Sequence, residues 1–306
     1  MKHNDSNDVI ELKEVISAIW FGKKIIILFS IIAAISGILY TLNMPDIYRS
    51  YAILTPKDNS SAGGSLQGYS GLASMAGIKL PSSGMADKST EAIYIMASYS
   101  FFEENILPNI SLPNLMAVES WSKNSNTISY DESIFDNSKG VWHFNNNSSI
   151  ASKAVKPSSQ ISFEEFHKKL SVSQDLDTGF VTISIDHQSP YIAQKWVEII
   201  ISEINSKFRH DDKLAANLSI EFLNKQIANI NFSEIKESLY DLIQAEIKKL
   251  SLIESNQDYV FKILEPPIAS EKKQSPARAV LVIIISFMGF MIGCASALVF
   301  HFNKRN

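Results

Sequence analysis

Two uncharged runs, one near each end of the chain, decide most of what this sequence can fold into. Ile25–Leu42 and Val280–Phe300 carry no charge over 18 and 21 positions. As helices at ~1.5 Å per residue they span ~27 and ~31 Å, close to the hydrocarbon thickness of a bilayer. A soluble helix of that length keeps a polar face, and these runs do not. Both are therefore read as transmembrane helices. The first reads as an uncleaved anchor rather than a signal peptide. Its leading segment holds Asp5, Asp8, Glu11 and Glu14, and Tyr40–Asp46 contains no small-x-small cleavage site.

Two spans place both termini on one side. Lys2, Lys13, Lys23 and Lys24 precede the first span, and Arg49 and Lys57 are the cations that follow it closely. The positive-inside bias then makes the N-terminus cytoplasmic. The expected layout is a cytoplasmic stub at 1–24, spans at 25–42 and 280–300, a cytoplasmic tail at 301–306, and an outer region of 237 residues at 43–279. The net charge is −4 with no basic stripe, which argues against nucleic acid as a partner. The single cysteine, Cys294, lies inside a span, so the outer region uses no disulfide.

Within the outer region, Ile47–Thr55 is rich in β-branched and aromatic residues and predicts a strand. Residues 59–84 are Gly- and Ser-rich and predict a loop. Asp87–Leu107 has helical spacing, and 109–157 reads as irregular with one short strand. Ser162 with Glu165 three residues later predicts a capped helix start. Leu170–Gln174 and Phe180–Asp186 predict strands, the second with Val181, Ile183 and Ile185 on its buried face. Ser189-Pro190 then opens a long amphipathic stretch. Its stripe runs through Ile192, Trp196, Ile200, Ile204 and Phe208 to Ala215, Leu218 and Phe222, and a second helix over Phe232–Ser255 carries Leu239, Ile243, Ile247 and Leu250. Together these make long helices over 190–255. Asp258–Leu264 predicts a strand that stops at Pro266 and Pro267.

Catalytic chemistry is hard to find. Gly63 and Gly68 have P-loop spacing, but Tyr69 and Ser70 stand where a lysine is needed. The histidines (His3, His143, His167, His187, His210, His301) never fall four apart on a helix, and no cysteine joins them, so no metal site is expected. Glu103/Glu104, Glu164/Glu165 and Asp211/Asp212 are adjacent pairs that diverge on a helix and read as solvated faces. No cofactor and no enzymatic activity are expected. One interaction motif remains: Gly289, Gly293 and Ala297 have the small-xxx-small spacing that lets two membrane helices approach closely.

The order of these pieces resembles a known family. It comprises the stub IELKEVISAIWFGKKIIILF, the strand YRSYAILTPK, the loop GLASMAGI, the stretch LSVSQDLDTGFVTISIDHQSPYIAQKWVEIIISEIN, and SLYDLIQAEIKKLSLIESNQDYVFKILEPPIASEKKQSPARAV before the second span. The chain is similar to the polysaccharide co-polymerases, the Wzz-like chain-length determinants of bacterial inner membranes. The resemblance covers about 9–80 and 160–300. It implies an α+β fold, in which two transmembrane helices flank a periplasmic domain with a membrane-proximal mixed sheet and long extended helices. It also implies a ring-like homo-oligomer that works with a membrane polysaccharide polymerase of the Wzy type, and a proline-containing linker at 265–279 before the second span. Pro266, Pro267, Pro276 and Arg278 match that linker, whereas Ser270 and Lys273 stand where relatives often have further prolines.

The implied role is regulation of surface polysaccharide length, foremost that of lipopolysaccharide O-antigen, without catalysis. Capsule or exopolysaccharide export beside a separate kinase is the alternative within the family. A two-span periplasmic sensor and a membrane-anchored hydrolase are the alternatives outside it. Length could be set by gathering polymerases or by binding the growing glycan. Aromatics of the central segment suit sugar stacking, although Trp121 and Trp142 are expected to be buried.

Overall fold

The computed structural model describes residues 20–57, 85–143, 156–230, 232–256 and 258–303. Most of the expected stub, the Gly/Ser-rich loop at 59–84 and the end of the tail lie outside the described residues. In chain order the elements are α1 (Lys23–Leu42), β1 (Tyr48–Pro56), α2 (Met85–Met96), β2 (Val118–Ser122), β3 (Thr127–Tyr130), β4 (Phe135–Asp136) and β5 (Val141–Trp142). They continue with α3 (Ser159–Lys169), β6 (Leu170–Gln174), β7 (Val181–His187), α4 (Pro190–Asn229), α5 (Ser233–Ser255), β8 (Phe261–Glu265) and α6 (Arg278–Asn303). Short helical turns fill Tyr99–Asn109 and Leu112–Met116. The α+β class expected from the sequence is what forms. The chain divides into two units, Met1–Ile47 with Lys273–Asn306, and Tyr48–Lys272.

The first unit is a helix pair. α1 and α6 are both long and apolar enough to cross a membrane. Their outward faces stay bare, with Ile283 67% and Val299 70% exposed, a surface that water would not tolerate and lipid would. The hydroxyls of Ser30 and Ser286 donate to the carbonyls of Ile26 and Val282 one turn back, which satisfies them without water.

The second unit is built on a four-stranded sheet in the order β6-β7-β1-β8. Every pairing is antiparallel, so the mixed sheet expected from the sequence is a purely antiparallel one. The crossover through α4 and α5 would allow β7 and β8 to pair in parallel, but β1 occupies the place between them. β1 forms where a strand was predicted and alternates, with Ser50, Ala52 and Leu54 buried opposite Ile185, Ile183 and Val181. α4 lays Trp196, Ile200, Ile204 and Phe208 into the same core, joined by Phe101, Phe102, Ile106, Phe166 and Phe261. Full burial of each large apolar side chain contributes roughly 1.5–3 kcal/mol. On the β1–β7 pair, the directly opposed Arg49 and Asp186 form a two-pronged ion pair at 2.7 and 2.6 Å.

Several local readings shift. α3 starts a turn earlier than the capping pattern predicts: Ser158 is its cap, accepting from Ile161 N–H, while Ser162 lies buried inside the helix. Glu165 is then free to pair with Lys168. The far half of α4 turns a different face inward. Leu218 and Phe222 are more than half exposed, and Ala216, Leu223 and Ile227 are buried in their place. Leu223 and Ile227 pack with Ile243 of α5, with Ile220 and Leu239 at the margin. Both faces are apolar in sequence, and the side on which α5 returns selects one. Ile247, expected inside, is 50% exposed. The described part of 109–157 holds more order than predicted: β2–β3 and β4–β5 form two small antiparallel hairpins.

Candidate functional site

Two places concentrate the features that the sequence singled out. The first is the helix pair. Over 278–300 of α6 the buried positions are Gly289, Gly293 and Ala297, spaced by four and therefore on one stripe. That stripe faces α1 of the same chain. A Cβ at Gly289 would run into the Cβ of Ala33 and stand 3.0 Å from the Phe29 carbonyl oxygen. One at Gly293 would lie 2.9 Å from Ile26 Cα. On α1, Gly37 answers with its own close approach, where a Cβ would sit 3.2 Å from Ile285 Cγ2. Backbones come together here because no side chain intervenes, which is how helices associate where no hydrophobic drive separates lipid from protein.

The ends of the pair are tied by a clasp. Ile47 N–H donates to Ser275 O at 2.9 Å, and Gln274 N–H donates to Ile47 O at 2.8 Å. Asp46 receives Lys273 at 2.9 Å and Arg278 at 3.0 Å, and Arg278 also donates to Met44 O at 3.0 Å. Arg278 is the first residue of α6, where the helix dipole disfavours a cation; the Asp46 carboxylate offsets that. Pro276 lies in the same clasp and follows a cis bond from Ser275. Sequence reasoning missed Asp46. Its only signal was being the one acid between the first span and the strand.

In the second unit, the start of the expected linker is held down and does not hang free. Pro267 is buried, Pro266 is exposed, and Ser50 Oγ donates to Ile268 O at 2.8 Å. Beside it is the second place, a cavity of about 120 Å³ lined by Tyr48, Trp121, Pro190, Tyr191 and the segment Ala269–Glu271, with Lys123 at its edge. Trp121, expected in the core, is only half-buried here, and Trp142 is half-buried against the core. A larger groove of about 470 Å³ runs past Ser206, Arg209, His210, Lys213 and Glu254, but Lys213 is already paired with Glu254 at 2.7 Å.

Titratable groups elsewhere serve the fold. His187 is buried: its Nδ1 accepts from Ser189 N–H at 2.9 Å and its Nε2–H donates to Asn114 O at 2.9 Å, which fixes the neutral tautomer. Burial pushes its pKa down to about 4. Burial and the Asp212 carboxylate push the Tyr259 phenol well above its usual range. Asp212 is held low: burial acts to raise it, and hydrogen bonds from Lys88 and Tyr259 outweigh that. Among the described residues no group of three or more His, Cys, Asp or Glu side chains could hold a metal ion.

Two helices long and apolar enough to cross a membrane, one near each end of the chain, and a mixed helix-and-sheet unit in the sequence between them fit a two-span membrane protein. Residues 8–104 of the chain match the Wzz family, chain length determinant protein. Two solved structures are similar to it. One is a full-length bacterial polysaccharide co-polymerase, at 15% identity and a TM-score of 0.42, over 96% of this chain and 99% of that one. The other is a fragment of WzzB, a polysaccharide co-polymerase from Salmonella Typhimurium, at 13% identity and a TM-score of 0.31, over 76% of this chain and all of that one. No curated protein matches the chain.

Proposed function

We propose that this protein regulates the length of a surface polysaccharide, foremost lipopolysaccharide O-antigen, as an inner-membrane co-polymerase. The observation that carries the reading is the chain length determinant match over 8–104, which includes the whole of α1 and β1. In this reading both termini are cytoplasmic and the unit Tyr48–Lys272 is periplasmic, as the lysines before α1 favour. Copies of the chain assemble into a ring beside a Wzy-type polymerase. The protein acts without catalysis, through the geometry of its helix pair and outer unit. Gly289, Gly293 and Ala297, with the clasp at Pro276 and Arg278, hold the two spans in one arrangement that a polymerase in the same bilayer can sense.

The test is a deletion of the gene, with the cell's polysaccharides resolved on a gel. The expected result is a loss of modal length that the intact gene restores. An unchanged length distribution of every surface polysaccharide would sink the reading. A change confined to capsule or exopolysaccharide would move the role to export beside a separate kinase.

A further inference from the structure

The geometry points to a saccharide subsite at the aromatic corner of Tyr48, Trp121 and Tyr191, sized for one face of a pyranose ring in a glycan chain. This inference rests on the polysaccharide reading above and gives that reading a place of contact.

Three rings line one small cavity. Tyr48 and Trp121 meet edge to face, with centroids 5.3 Å apart and planes at 77°. Trp121 and Tyr191 lie 6.2 Å apart at 60°. Rings tilted in this way are not stacked face on face, and all three line the cavity. A pyranose ring fits such a corner chemically. Its axial C–H bonds form an apolar face that is drawn to the electron-rich face of an aromatic ring, and its hydroxyls radiate outward from the edge. The edge of this cavity suits hydroxyls. Lys123 and Glu271 are exposed there, and neither makes an ion pair among the described residues. The two rim charges are opposite, so the site as a whole favours a neutral polyhydroxylated ring over an anion. A volume of about 120 Å³ takes one face of a single ring, with the rest of the sugar in solvent, and excludes a helix or a strand.

The corner is also rigid before any ligand arrives. Trp121 Nε1–H donates to Asn126 Oδ1 at 2.9 Å, and Asn126 holds the left-handed turn of the β2–β3 hairpin at φ 50°. Pro190 and Tyr191 are the first two residues of α4, so they ride on the first turn of a 40-residue helix. Tyr48 begins β1. Rings fixed by a hairpin, a helix and a strand lose little freedom on binding. Tyr191 is 54% exposed although it meets Trp121, and an exposed aromatic over a polar-rimmed cavity has the form of a ligand site.

The experiment uses the full-length protein in detergent. The probe is oligosaccharide released by mild acid from the host cell's own surface polysaccharide, read by saturation-transfer NMR and calorimetry. Wild type is expected to bind. Tyr191→Ala is expected to weaken binding about tenfold, and Tyr191→Phe to retain it within about twofold, because the ring face does the work. Thermal unfolding of both variants should match wild type, which separates lost contact from lost fold. No binding by wild type would overturn the inference, as would a Tyr191→Ala protein that binds as tightly as wild type. The two readings fail separately. Wild type that shifts polysaccharide length in cells but binds no saccharide removes the subsite alone. A protein that binds saccharide through Tyr191 but leaves every length distribution unchanged on deletion removes the co-polymerase role alone.

Discussion

Asn205 grips Phe261 through both halves of its amide: Nδ2 donates to the Phe261 carbonyl at 3.1 Å, and Oδ1 accepts from the Phe261 N–H at 3.0 Å. The same Oδ1 also accepts from the N–H groups of Tyr259 and Val260, at 3.1 and 2.8 Å. All of this is buried in the middle of α4, where a polar side chain would otherwise be a liability. The amide supplies partners to the backbone that leads into β8, so it fixes where the last strand enters the sheet.

Asn205→Ala should therefore be among the most destabilising single changes in the second unit. It strands three N–H groups and one carbonyl, each costing roughly 1–3 kcal/mol when buried without a partner. Partial entry of water would lower the sum, and a loss of at least about 3 kcal/mol is expected. Asn205→Asp keeps the acceptor bonds and should fall between alanine and wild type. Thermal and denaturant unfolding of the detergent-solubilised protein measures both; an alanine variant within about 1 kcal/mol of wild type would refute the role.

His187 should make stability depend on pH on the acid side. Its folded pKa, about 4, lies below the ordinary value of 6.5. Between those values the unfolded chain binds more protons, so stability is complete above pH 6.5 and drains away as pH falls towards 4. The shift corresponds to about 3 kcal/mol as an upper bound. Protonation at Nδ1 would also remove the acceptor that holds Ser189 N–H at the start of α4. His187→Gln should be less stable at neutral pH yet flatter between pH 4 and 6.5, as unfolding curves across that range will show.

Gly289→Ala should loosen the helix pair, because the added methyl meets Ala33 directly. Overpacking of this kind costs about 1–3 kcal/mol. Ala33→Gly in the same chain should recover part of the loss, since it removes the nearest obstacle and leaves the Phe29 carbonyl oxygen as the next. Unfolding in graded SDS gives the coupling energy. In cells, the Gly289→Ala change should alter polysaccharide length, and more strongly when Pro276 is replaced as well, without unfolding the sheet. A wild-type length pattern in that double variant would reduce the clasp to a passive tether.

Asp46→Asn should matter little for stability and in a salt-dependent way. It leaves Lys273 and Arg278 facing each other without their shared anion. All three side chains are about a third exposed or more, so the cost should stay below about 1 kcal/mol. Unfolding at low and at 1 M salt, where screening is nearly complete, should bring the variant and wild type together. A large and salt-insensitive loss would mean that Asp46 acts by shape and not by charge.

Much that depends on neighbours along the chain was legible in the sequence. Uncharged length gave the two spans, because a bilayer's thickness converts directly into residues of helix. Alternation gave the buried face of β7, because side chains on a strand change sides at every residue, and Ser189-Pro190 marked where α4 begins. The spacing of Gly289, Gly293 and Ala297 put them on one stripe for the same local reason. Only the tertiary structure decided what each face meets. It gave the glycine stripe to α1 of the same chain, chose Ala216, Leu223 and Ile227 over Leu218 and Phe222, and made the sheet antiparallel by setting β1 between β7 and β8. It also brought Asn205 to Phe261, and Trp121 to Tyr48 and Tyr191. These contacts join residues tens to hundreds of positions apart, and no local period encodes them. They are fixed only when one chain must bury all its apolar faces and satisfy all its buried polar groups at once.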